Sequence, residues 1–148
     1  MKAVFDSSTI VIYLTQERPF WKAIDRTLNH PDIEPILAGP ALTEIIATTR
    51  RKGNTSSGQR IWEALSAVGL DVEPPTADDL IRAAELIELS EANPGPPSSR
   101  GPSATLSLGD ALILAVAERL DCAVVTNDTY WAWMVEEGLL GVQVHVPG

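Results

Sequence analysis

Two short apolar runs of this chain end on an acid, Ala3-Val4-Phe5-Asp6 and Ala123-Val124-Val125-Thr126-Asn127-Asp128. A third acid, Asp110, follows Ser107-Leu108-Gly109 and lines up with Ile113, Leu114 and Ala117 at three, four and seven residues onward. A fourth, Glu44, lies in Ala41-Leu42-Thr43-Glu44-Ile45-Ile46-Ala47, with small residues at helical spacing from it. Each has a plain structural reading. Aspartate ahead of a helix is a preferred N-cap, Ser107 and Asp110 have the spacing of a capping box, and a helix glutamate is ordinarily solvated. Asp110 fits least, because a carboxylate on an apolar stripe is costly unless a cation pairs with it or a proton neutralises it. Carboxylates gathered in one cleft raise one another's pKa unless divalent cations neutralise them. Mg²⁺ and Mn²⁺ prefer oxygen ligands, and such ions polarise a phosphate, activate water and stabilise a leaving oxygen.

The elements that must position these acids follow from periodicity and caps. Lys2–Phe5 reads as a strand and Asp6-Ser7-Ser8-Thr9 as the start of a helix through Leu14. Pro19 is expected to open a second helix ending near Leu28, and Ile36–Ala38 to form a short strand. A helix over Ala41 to about Arg51 carries Glu44, with Pro40 before it and Gly53 closing it. Further helices are expected from about Ser57 to Val68 and from Ala77 to about Ala92, the latter capped by Thr76 with Leu80, Ala84, Ile87 and Glu91 along one side. Strands are expected at Leu70–Val72, Ala123–Val125 and Val142–Val146, with helices over Ser107–Leu120 and Thr129–Glu137.

Short β-rich runs alternating with helices define an α/β domain with a mainly parallel sheet. Such sheets bind ligands beyond the carboxyl ends of their strands, where Asp6 and Asp128 fall. A length of 148 residues suits one domain over residues 1–148, with a Pro/Gly/Ser-rich loop at 93–105 inside it. The one cysteine, Cys122, excludes an internal disulfide, and two histidines beside it cannot build a zinc finger. Neither a signal-peptide pattern nor an apolar run of membrane-spanning length is present, so the expected location is the cytoplasm. Net charge is −9. Residues 1–60 hold eight Lys/Arg against six Asp/Glu, whereas residues 61–148 hold three against fourteen. A nucleic-acid-facing surface must therefore draw on the first part, or on a metal ion. P-loop and dinucleotide-binding glycine motifs are absent.

The ordered set Val4-Phe5-Asp6-Ser7-Ser8, Thr43-Glu44, Leu106-Ser107-Leu108-Gly109-Asp110-Ala111 and Val124-Val125-Thr126-Asn127-Asp128-Thr129-Tyr130-Trp131 resembles a PIN-domain nuclease. It is most similar to the VapC-type ribonuclease toxins of toxin–antitoxin pairs, and the resemblance runs from Asp6 to the last strand. The resemblance implies a PIN-like fold with Asp6, Glu44, Asp110 and Asp128 as metal-binding acids, assisted by Thr126 and Ser7. It also implies RNA cleavage dependent on Mg²⁺ or Mn²⁺, a homodimer, and a cognate VapB-like antitoxin that silences the enzyme.

Arg50-Arg51-Lys52 closes the helix carrying Glu44, either as favourable charges at a helix C-terminus or as contacts to RNA phosphates. Trp21, Trp62, Trp131 and Trp133 are expected to pack rather than stack on bases, with Trp62 a contact for a partner chain. Cys122 is expected as a small buried residue. Two other functions stay open: a silent PIN-like module that binds RNA or an antitoxin, and a phosphotransfer or phosphatase domain with Asp6 as nucleophile.

Overall fold

In the computed structural model, residues 1–97 and 104–147 are described. Five strands alternate with helices: β1 (Lys2–Phe5), β2 (Glu34–Ala38), β3 (Asp71–Glu73), β4 (Ala123–Val125) and β5 (Val144–His145). The helices are α1 (Ser7–Thr15), α2 (Trp21–Leu28), α3 (Gly39–Arg51), α4 (Gly58–Ala67), α5 (Ala77–Ala92), α6 (Leu108–Leu120) and α7 (Thr129–Glu136). All strand pairs are parallel, in the order β3-β2-β1-β4-β5. The chain leaves β1 toward β2 and β3, then returns to the other side of β1 for β4 and β5. β1 and β4 therefore flank the switch point, the usual ligand crevice of such a sheet.

The core explains this arrangement. Ala3, Val4 and Phe5 are buried, as a central parallel strand covered on both faces requires. Every residue from Ala111 to Ala117 is buried, so α6 is the central helix, apolar all round. α6 packs against α5 and α3 and over β1, β2 and β4.

The structure corrects several sequence expectations. α2 starts at Trp21 rather than Pro19, and Pro40 sits inside the first turn of α3, where its missing N–H costs nothing. β3 is shifted to Asp71–Glu73, and β5 covers only Val144–His145. The buried stripe of α5 is Asp79, Ala83, Leu86 and Ser90, one residue off the expected Leu80-Ala84-Ile87-Glu91 line. The offset has a cause: Asp79 can occupy a buried position because Thr76 and Arg119 satisfy its carboxylate. Leu80 and Ile81 are left exposed. Of the 93–105 loop, residues 93–97 and 104–105 are irregular as expected, and 98–103 lie outside the described residues. Trp131 is fully buried and Trp21, Trp62 and Trp133 are half-buried, with the Trp133 ring 5.7 Å from that of Tyr130. Cys122 is half-buried.

Candidate active site

Strand register brings the first groups together. Phe5 pairs with Val125, so the next residues along, Asp6 and Thr126, are neighbours at the carboxyl end of the sheet. Thr126, fully buried, donates from Oγ1 to Asp6 Oδ2 at 2.8 Å, and Ser8 Oγ donates to the same oxygen at 2.9 Å. Asp6 is 4% exposed. Its backbone occupies the N-cap position of α1, yet its side chain makes no capping bond. The capping explanation of Asp6 therefore fails: its carboxylate faces the sheet edge instead. Burial raises its pKa, the Thr126 and Ser8 hydroxyls oppose that rise, and the charge of Asp128 adds to it.

Ser7 connects Asp6 to Glu44. Its hydroxyl lies 3.1 Å from Glu44 Oε2 and 3.4 Å from Asp6 Oδ1. Helix α3 packs beside α1, placing the second turn of one against the first of the other. The Glu44 carboxylate reaches over the first turn of α6, where a Cβ added to Gly109 would collide with Oε1. A side chain at Gly109 would therefore have to push the end of the Glu44 side chain aside.

Asp110 and Asp128 both serve as caps and both keep an oxygen spare. Ser107 and Asp110 form a full capping box, with Ser107 N donating to Asp110 Oδ2 at 3.2 Å and Asp110 N to Ser107 Oγ at 3.1 Å. Asp128 caps α7 by accepting from Tyr130 N at Oδ1, 2.9 Å, while its own N–H is held by Thr126 Oγ1 at 3.0 Å. Asp110 Oδ1 and Asp128 Oδ2 have no hydrogen bond among the described residues. Burial is the main cause lifting the Asp110 pKa to about 6; the charges of Asp6 and Asp128 add to it, and the bonds from Ser107 oppose it.

Asp6, Glu44, Asp110 and Asp128 thus share one end of the molecule, at the N-termini of α1, α6 and α7 and the side of α3. Helix N-termini favour negative charge, but among the described residues no Lys, Arg or His forms an ion pair with any of the four. The donor set is oxygen only, which suits a hard divalent cation. No three His, Cys, Asp or Glu side chains among the described residues already close round a common point. Mg²⁺ tolerates such an open set, since it keeps several waters and binds through one or two carboxylates.

The basic cluster lies further along α3. Arg50 and Arg51 are exposed and line a shallow cleft with Thr43, Ile46 and Asn54. Lys52 differs: its Nζ is paired with Glu17, so it is not a free contact. Ser8 was not singled out from sequence, although a hydroxyl two residues after a strand-end acid is a readable signal. Asn127 was not either; its Nδ2 is buried with no hydrogen-bond partner among the described residues. A cleft of about 980 Å³ between α2 and strands β1, β4 and β5 takes in none of the four acids.

Sequence and fold comparisons now bear on this site. Residues 3–134 match the model of the PIN domain, and the chain belongs to the PIN-domain family. A toxin–antitoxin complex from Klebsiella pneumoniae is similar at 20% identity and TM-score 0.62, covering 86% of this chain and 87% of that one. VapBC2 from Rickettsia felis, bound to a DNA fragment from its promoter, is similar at 15% identity and TM-score 0.68, with 99% and 98% covered. VapC20 from Mycobacterium tuberculosis, a toxin that cleaves the sarcin–ricin loop, has 15% identity and TM-score 0.66, with 88% and 94% covered. At these identities the likeness is one of fold. Comparison with curated proteins finds no match. Among the described residues no helix is long and apolar enough to cross a membrane.

Proposed function

We infer that this chain is a metal-dependent endoribonuclease, the toxin of a VapBC-type pair. The observation that carries this reading is the cluster of Asp6, Glu44, Asp110 and Asp128, which pairs with no cation among the described residues, at the switch point of a PIN-family sheet. Asp6, Asp110 and Asp128 would hold Mg²⁺ or Mn²⁺, with Glu44 at the edge of the same set. The ion would supply positive charge to a scissile phosphodiester and lower the pKa of water, the chemistry hydrolysis requires.

The chain's own residues set the stage for that reaction. Thr126 and Ser8 fix Asp6 by two hydroxyl bonds. Ser7 holds Glu44 against α1. The capping bonds of Asp110 and Asp128 each occupy one oxygen and leave the other available to a ligand. Arg50 and Arg51 supply phosphate contacts along α3, in the half of the chain that carries net positive charge. Similarity to toxin–antitoxin complexes supports a cognate VapB-like antitoxin as partner, and the family resemblance supports a homodimer in the cytoplasm. The phosphotransfer alternative is disfavoured by Asp6 itself, whose buried, hydroxyl-bound carboxylate is a poor nucleophile.

The test is cleavage of total cellular RNA with Mn²⁺, by wild type and by Asp110→Asn. Fragments from wild type alone are expected. Equal growth arrest by both proteins without fragments would instead favour a silent binding module.

A further inference from the structure

A buried polar knot joins the mounts of two of the acids. Ser90, at the end of α5, is fully buried, and Tyr130, in the first turn of α7, is 4% exposed. Leu106 N donates to Ser90 Oγ at 2.8 Å, Ser90 Oγ lies 2.9 Å from Tyr130 Oη, and Tyr130 Oη lies 2.8 Å from Asn93 O. The direction of these bonds follows from chemistry. Asn93 O can only accept, so Tyr130 donates to it, and the Ser90 hydroxyl must then donate to Tyr130. Every member is satisfied, and fully satisfied buried networks rigidify the groups they join.

The knot's geography gives it a consequence. Leu106 directly precedes Ser107, the cap that holds Asp110. Tyr130 is the residue whose backbone N–H holds Asp128 Oδ1. The Tyr130 ring also lies close to Gly95, where a Cβ would approach Cδ1 to 2.8 Å, and Gly95 N donates to Ala104 O at 2.8 Å. The start of α6 and the start of α7 are thus pinned through one pair of hydroxyls, with neither hydroxyl among the four acids.

We propose that Tyr130 and Ser90 are positioning residues that fix the separation of Asp110 from Asp128 and so set the affinity of the acidic cluster for a divalent cation. This rests on the metal-site reading above. Outer groups that orient metal ligands commonly change metal affinity about 10–100-fold when removed.

The experiment is Mn²⁺ titration by calorimetry on the full chain without RNA, for wild type, Tyr130→Phe and Ser90→Ala. Arg119→Gln serves as a control that breaks an ion pair remote from the knot. Melting temperatures in chelator are measured alongside. Both knot variants are expected to weaken Mn²⁺ binding by roughly 10-fold, and Arg119→Gln to bind as wild type even where it melts lower. At a temperature where Tyr130→Phe is fully folded in chelator, its RNA cleavage is expected to recover at saturating Mn²⁺, a rescue that then reports metal affinity and not refolding. Tyr130→Phe and Ser90→Ala both binding within about twofold of wild type would overturn the proposal. So would losses no larger than that of the control. Absence of binding in wild type would be a different failure, that of the metal site itself, and the proposal would fall with it.

Discussion

Asp79 and Asp110 occupy equivalent places on adjacent helices, and their surroundings differ in one respect. Each is the third residue of its helix, in a full capping box with Thr76 or Ser107. Asp79, 3% exposed, meets Arg119, whose Nε lies 2.9 and 3.0 Å from its two oxygens. Asp110 has a hydrogen-bonded cap but pairs with no cation among the described residues, and it feels the charges of Asp6 and Asp128. The same local motif is paired with a cation in one helix and, among the described residues, with none in the other. Capping explains where each acid sits; the difference in partners is what singles out Asp110 as the candidate for function.

The largest expected effect separates the two acids outright. Asp110→Asn is expected to lower RNA cleavage by more than roughly 100-fold while leaving the metal-free fold as stable as wild type or more so. Asp79→Ala is expected to do the reverse. It removes the buried carboxylate that pairs with Arg119 and accepts from Thr76 N, costing about 1.5–3 kcal/mol for hydrogen bonds to a charged group, and cleavage per folded molecule is retained. Denaturant melts and cleavage assays on both variants check the pair; equal loss of activity in both would break the comparison.

Gly109→Ala sharpens it next. Alanine in a helix interior is favoured over glycine by about 0.5–1 kcal/mol, but the new Cβ would displace the Glu44 carboxylate. Stability is expected to hold or rise while cleavage falls by roughly 10-fold or more. A fully active Gly109→Ala would remove Glu44 from the site.

A pH series gives the third test. The folded state holds the Asp110 proton up to about pH 6, whereas the unfolded chain releases it near the ordinary aspartate pKa of 3.8. Stabilisation from this group is therefore complete below pH ~4 and lost as pH rises through ~6. In chelator, melting temperature is expected to fall over that window more in wild type than in Asp110→Asn, and Mn²⁺ is expected to cancel the difference. Identical profiles in chelator would contradict the uncompensated charge.

The smallest effect concerns RNA contact. Arg50→Ala and Arg51→Ala are each expected to weaken RNA binding and reduce its salt slope by about 1, with Mn²⁺ affinity unchanged. Lys52→Ala is expected to do less, because Glu17 already engages that amine.

The places of these acids in the fold are legible in the sequence. The strand-end acids Asp6 and Asp128 follow from short apolar runs, and Asp110 from an acid in line with an apolar stripe. The shifted stripe of α5 was not readable, because Arg119 satisfies Asp79 from 40 residues away in sequence. The Ser90–Tyr130 bond spans the same distance and was invisible for the same reason. Periodicity reports which face is apolar; it is silent on which polar groups meet across helices. Strand ends were also blurred, since β3 and β5 have three and two residues and are fixed by pairing rather than by propensity.

Mn²⁺ binding measured by calorimetry at pH 7.5, without RNA, on wild type, Asp110→Asn and Asp79→Asn tests the central claim most directly. Wild type and Asp79→Asn are expected to bind, and Asp110→Asn to show no binding. Wild type that takes up no Mn²⁺, or Asp110→Asn that binds as wild type does, would contradict the assignment of this acidic cluster as a cation site.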